Sequence, residues 1–224
     1  QSLISRRQDN EASAENLTWL RNESNAHLHV DLIAGLPDED LESFGRGFDR
    51  LHALRAHEIQ VGILKRLRGT PIARHTQVHG MRYDSDPPYA VLQTHRIAFS
   101  DMQRITRFAR YWDMIGNSGR FHRALELMLQ PSPYARFMQF SDWLYARTRK
   151  THQIALDRLF EHVHAFLTSE LAVDEDLASS ALIADYESSG ARGKLSFMPE
   201  AAPRSRMTPA ARKSALRQAR HLPN

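Results

Sequence analysis

Apolar positions follow two regimes along the chain: short branched runs first, then helical spacing from about residue 100. Residues 11–23 place Leu17 and Leu20 on one face beside Trp19, which predicts a helix that Asn25 stops. The stretch His27 to Ala34 is dense in branched apolar residues and closes on Gly35-Leu36-Pro37, the pattern of a strand buried on both faces. Pro37 and the acidic trio Asp38, Glu39 and Asp40 then favour a helix start, because carboxylates suit the positive end of the helix dipole. Leu41, Phe44, Phe48 and Leu51 recur at helical spacing, so this helix runs to about Leu54. A second apolar run, Glu58 to Lys65, completes a strand–helix–strand unit, which predicts parallel strands joined by a right-handed crossover. Thr70 and Pro71 have the chemistry of an N-cap and a first helical residue, and Tyr83 to Tyr89 is turn chemistry.

From Ser100 the pattern is helical throughout. Met102, Ile105, Phe108, Trp112 and Ile115 form one stripe, ended by Gly116-Asn117-Ser118-Gly119. Further helices are predicted over Ser132 to Arg147, Thr151 to Leu171 and Asp176 to Ser188. The expected fold class is α/β followed by all-α: residues 1–98 as an α/β layer, 99–190 as a helical domain and 191–224 as a tail. Two parallel strands are an incomplete sheet, because parallel sheets need both faces covered and further strands beside them. No further strand is evident, so either strands in this chain escape the pattern or, as the start at Gln1 instead of Met favours, the rest of the sheet is expected upstream of residue 1.

Charge adds a partition. The chain carries 30 Lys plus Arg against 26 Asp plus Glu, net +4. Residues 191–224 hold eight basic residues and one acid, so they carry +7 and the remainder is net −3. With Pro199, Pro203, Pro209 and Pro223 and few large apolar residues, that tail is expected to be mostly disordered. No aromatic residues interleave with its charges, so a nucleic-acid partner is not expected. The alternatives for it are a solvated extension and a contact for an acidic partner, RNA or a membrane surface. No run is long enough to span a membrane and no leader peptide is evident, so a cytoplasmic location is expected. The chain has no cysteine, which excludes disulfides, thiolate catalysis and Cys-held metal clusters within it. Phosphate-loop, dinucleotide-binding and nucleophile-elbow patterns are also absent from the sequence.

The stretch His27 to Pro37 (HLHVDLIAGLP), the acidic helix start after it and Ile63 to Pro71 (ILKRLRGTP) resemble the last two βα units of a radical S-adenosylmethionine barrel. The likeness is closest to the branch with oxygen-independent coproporphyrinogen dehydrogenase and the cobalamin-binding radical SAM proteins. Arg107 to Trp112 (RFARYW) with Asn117-Ser118-Gly119 resembles the helical domain of unknown function that follows the barrel in one cobalamin-binding subgroup. Together the resemblances cover roughly residues 20–190. They imply a partial (β/α) barrel, a [4Fe–4S] cluster, S-adenosylmethionine and cobalamin in the parent protein, and a small-molecule substrate. Asp31 is then expected to accept hydrogen bonds from the cofactor, with the backbone of Ile33, Ala34 and Gly35 beside its adenine. Lys65, Arg66 and Arg68 follow the second strand and are candidates to hold a substrate carboxylate or phosphate, or are simply loop charges.

Two departures qualify the resemblance. The family's C-x3-C-x2-C cluster loop is missing, so the cobalamin-binding and cluster-binding parts are expected as upstream partners of the same protein. This chain is then a fragment that binds no cofactor tightly. The family also has Gly after G-L-P where this chain has Asp38, a residue that tolerates left-handed backbone. The competing expectation is a non-catalytic helical interaction module.

No metal ligand set is expected. His27 and His29 share a strand face, which more often makes a polar surface than a metal site. His162 and His164 lack i, i+4 spacing and are expected on the surface. Tyr111, Trp112 and Trp143 are expected to pack rather than line a ligand box.

Overall fold

The computed structural model describes residues 9–199. In chain order the elements are α1 (Asn10–Glu23), β1 (His29–Ala34), α2 (Leu41–Ala53), β2 (Glu58–Ile63), a 3-10 turn (Pro71–His75), β3 (Arg82–Tyr83) and β4 (Val91–Gln93). Helices α3 (Phe99–Ile115), α4 (His122–Met128), α5 (Pro133–Thr148), α6 (Leu156–Ser169) and α7 (Glu175–Ser188) follow. The fold is mixed α/β, with seven α-helices and a small two-stranded parallel sheet among the described residues.

β1 and β2 pair in parallel, from His29 opposite Glu58 to Ala34 opposite Ile63. Between them α2 starts on a capping box. The Asp40 carboxylate accepts from Ser43 N–H at 2.8 Å, and Ser43 Oγ accepts from Asp40 N–H at 3.0 Å. The helix buries Phe44 and Phe48 completely, as its apolar stripe predicts. The 3-10 turn has Thr70 and Pro71 in the expected places, but Thr70 Oγ1 donates to the Leu67 carbonyl at 2.6 Å instead of capping.

β1 departs from expectation. Leu28 is buried and Val30 and Leu32 are half-buried, whereas His29 and Asp31 are exposed. The strand alternates, with one face on the core and one polar. His29 Nε2 lies 3.0 Å from Gln60 Oε1 and His27 Nε2 lies 3.0 Å from Glu58 Oε1 across that polar face.

The turn-rich segment after residue 83 is bracketed by two strands that the sequence did not reveal. β3 and β4 pair antiparallel, Arg82 opposite Gln93 and Tyr83 opposite Val91. They join the end of β2 through an antiparallel bridge between Lys65 and Ala90, with Val91 N–H on Leu64 O at 2.8 Å. Strands of two and three residues are too short to carry a period-2 pattern.

One hydrophobic core crosses the boundary expected at residues 98 and 99. Phe48 meets Phe108 and Trp112 edge-on at 4.9 and 4.8 Å, and Phe137 of α5 closes on both at 5.2 and 4.9 Å. Gly45 lets the Tyr134 ring lie against α2, where a Cβ would collide with it. Asn117, just after α3, clamps β2: its amide accepts from Ile59 N–H at 3.0 Å and donates to Ile59 O at 3.1 Å.

Residues 191–198 pack on the helices where a disordered tail was expected from Ala191. Leu195 is fully buried, Phe197 stacks on His164 at 4.1 Å, and Gly193 N–H donates to Tyr186 Oη at 2.9 Å. Ser196 is held by the Glu161 carboxylate through its N–H and Oγ. A few apolar residues anchor this stretch where composition alone predicted none. The remainder of the expected tail, 200–224, lies outside the described residues.

Candidate functional site

Ligand sites in parallel α/β units lie at the carboxyl ends of the strands. Here that end of β1 is the turn Gly35 to Asp40. Gly35 takes φ 87°, a left-handed conformation, with its α-carbon turned against Val91 and Met102. Asp38 takes φ 65°, a left-handed backbone that Asp tolerates better than most residues. Such strain persists where surrounding contacts over-determine it. Arg96 Nε donates to Asp38 Oδ1 at 2.9 Å, and Arg96 Nη1 donates to Asp40 Oδ2 at 3.1 Å.

Glu39 turns back beneath the loop. Its Oε2 accepts from Gly35 N–H at 2.7 Å and Leu36 N–H at 3.3 Å. Burial pushes its carboxyl up to about 7, and these two donors only partly offset that cost. A carboxyl that titrates near neutrality can exchange protons with a ligand or stabilise either charge state.

Two histidines reach the same rim from distant positions. His79 follows the 3-10 turn and His95 follows β4. Gly80, at φ 54°, lets the chain run close to His95. His95 N–H and Nδ1 both reach the His79 carbonyl, at 2.9 and 3.1 Å. His95 Nε2 faces Asp38 Oδ1 at 3.4 Å. One ligand atom each from Asp38, His79 and His95 lies within 4.8 Å of the others. The sequence reading missed this cluster, because 41 and 16 residues separate its members and no spacing rule links them.

The residues singled out from sequence lie elsewhere. Asp31 is exposed on the polar face of β1, with His29 Nε2 3.6 Å from its Oδ1, so it is not the buried carboxylate expected. Ile33 is half-buried on that face, Ala34 is fully buried, and Gly35 N–H is taken by Glu39. Lys65, Arg66 and Arg68 are exposed, and the Arg66 guanidinium lies 5.2 Å over the Tyr83 ring. None of these seven residues joins the Asp38 cluster. Tyr111 and Trp112 are core residues as expected. Trp143 donates to Glu170 at 2.9 Å beneath the Arg147 guanidinium. His162 and His164 are half-buried rather than on the surface, and burial lowers both below the usual histidine range. His164 is wedged between Phe197 and Ser179 Oγ, the latter 2.9 Å from its Nε2.

Arg107, the first residue of the RFARYW stretch, and Arg104 one turn before it converge on Asp142 of α5, at 3.4 and 2.7 Å. The aromatic residues of that stretch, Phe108, Tyr111 and Trp112, fill the core. Residues 77–222 match the family described as "Protein of unknown function (DUF4080)". The chain belongs to that family. The DUF4080 match opens just ahead of His79 and takes in His95 and the Asn117 clamp, while Asp38 and Glu39 lie before it. The family segment therefore begins inside the α/β layer, not at the first helix of the helical region. No curated protein matches the chain. Among the described residues no helix is long and apolar enough to cross a membrane.

Proposed function

We propose that this chain supplies the last βα units and the helical appendage of a radical SAM enzyme that uses cobalamin and acts on a small molecule. The two-faced sheet is the observation that carries the reading. Its core face packs on α2, where Leu32 lies near Gly47. Its other face presents His27, His29, Asp31, Glu58 and Gln60. In a barrel of βα units the helices cover the outside, so the opposite face lines the interior. A polar interior wall fits a barrel that binds a cofactor and a polar substrate.

The open edge supports the same reading. The carbonyls of Leu28 and Ala34 accept from Glu58 and Leu64 N–H, so the alternate residues His29, Asp31 and Ile33 turn their backbone groups away from β2. Among the described residues no strand lies on that side. A preceding barrel strand would satisfy those groups.

The chain does not itself fit the iron–sulfur cluster, since it has no cysteine to hold one. In this proposal the cluster and cobalamin sit on the upstream part, and this chain contributes wall, rim and proton-active groups.

The test is to express the reading frame that extends upstream of Gln1, purify it without oxygen, and assay cleavage of S-adenosylmethionine to 5′-deoxyadenosine. The expected result is a [4Fe–4S] protein that makes 5′-deoxyadenosine. An upstream frame with no C-x3-C-x2-C loop would overturn the proposal. Reconstitution of a cluster on the 224-residue chain alone should fail, and success there would also overturn it.

A further inference from the structure

We propose that Asp38, His79 and His95 form a binding site for a divalent first-row transition-metal ion at the rim of the sheet. His95 Nδ1 lies 3.1 Å from the His79 carbonyl, which can only accept, so Nδ1 carries the hydrogen. In the neutral ring that leaves Nε2 as a lone pair. Nε2 faces Asp38 Oδ1 at 3.4 Å, so two acceptors oppose each other. Something positive between them, a proton or a cation, relieves the arrangement. A ring N–H bound to a backbone carbonyl is also the usual way a metal-ligating histidine is oriented.

His79 gives the second observation. Its Nδ1 is sealed from solvent and has no hydrogen-bond partner, an uncommon state for a buried polar atom. His79 is the shielded member of the cluster, while Asp38 and His95 are exposed and provide an approach from solvent. The neighbouring His75 ring lies 5.6 Å from that of His79, but its Nε2 already accepts from Arg74 Nε at 3.1 Å. Three protein ligands and open positions therefore define the site.

Two imidazoles and a carboxylate select the zinc, iron and cobalt class over magnesium or calcium. Ligand atoms around a tetrahedral ion with bonds of about 2.0–2.1 Å stand roughly 3.3–3.5 Å apart. The cluster spans up to 4.8 Å, so exposed Asp38 and His95 close in on the ion. Arg96 opposes binding, because its guanidinium holds Asp38 Oδ1 at 2.9 Å and adds a positive charge beside the site. The site does not rest on the radical SAM reading.

The experiment titrates the untagged 224-residue chain with Zn(II) by calorimetry and with Co(II) by visible absorption. One equivalent should bind, with a Co(II) spectrum characteristic of nitrogen and oxygen ligands. His95→Ala and His79→Gln should each weaken binding more than tenfold, Asp38→Asn less, and Arg96→Ala should tighten it about tenfold. His29→Ala, on the separate sheet face, should leave binding unchanged. Circular dichroism of each variant checks that it folds, and exposed His95 and Asp38 are substitutions the core does not feel. Absence of stoichiometric binding overturns the proposal, since a proton then suffices between His95 and Asp38. Binding that survives in both histidine variants, or is lost in His29→Ala, overturns it as well.

Discussion

Behind the Gly35 turn, Glu39 is held as a carboxyl that titrates near 7 instead of in the ordinary carboxylate range. Its ordinary value is 4.5, so the folded state binds this proton more tightly than the unfolded chain. The stabilising effect of the bound proton is complete below about pH 4.5 and is lost as pH rises through about 7. Glu39→Gln keeps a carbonyl for Gly35 N–H and removes the charge. It should unfold at higher urea than the parent at pH 8, by roughly 1–3 kcal/mol after allowing for partial solvent access, and converge on it below about pH 4.5. His52 has the opposite sign: burial lowers it below 6.5, so its contribution is lost as pH falls. Asp38 was legible at this scale, because Asp after Gly-Leu-Pro tolerates left-handed backbone, and φ 65° is what it adopts. Glu39 was legible only as one of three acids at a helix start. Nothing in the sequence distinguishes the carboxylate that folds back under the turn from the two that stay at the surface.

Helices α4 and α5 borrow their N-terminal caps from elsewhere in the chain. Asp185 of α7, nearly fully buried, accepts from Arg123 N–H at 3.2 Å and Ala124 N–H at 3.0 Å at the start of α4. Asp49 of α2 accepts from Tyr134 N–H at 2.6 Å and Ser132 Oγ at 3.0 Å at the start of α5. A carboxylate on a helix N-terminus satisfies orphan donors and opposes the dipole. Asp185→Ala leaves those donors buried without partners and should cost about 2–4 kcal/mol in urea unfolding. Asp49→Ala, at a more exposed start, should cost about 1–2 kcal/mol. Equal stability of Asp185→Ala and the parent would remove this account of α4. These caps explain what sequence reading found and missed. The long amphipathic helices α2, α3 and α5 announce themselves by periodicity. α4 has seven residues and a cap 61 residues distant, so no local pattern marks it. β1 was misjudged because Leu32-Ile33-Ala34 reads as a continuous apolar run. The alternation of His27, His29 and Asp31 against Leu28, Val30 and Leu32 was the better guide.

Across the whole molecule, the α/β layer and the helices share one core, and Asn117 fixes their junction by occupying both backbone groups of Ile59. Asn117→Ala orphans those two groups beside a buried side chain, so the chain should lose about 2–3 kcal/mol and unfold in one step with both halves. Separate transitions for the two halves would show that the core is not shared. The same side chain also decides how copies of the chain can meet. The outer side of β2 is blocked by Asn117 at its start and by residues 89–91 at its end. Among the described residues, β1 is therefore the one edge of the β1–β2 sheet on which backbone could add. A body with a single adhesive edge can pair with a copy of itself across a two-fold axis, and the pair is then used up. Raising the concentration of the isolated chain should therefore take it no further than dimers in sedimentation velocity, without the open-ended fibres that two free edges permit.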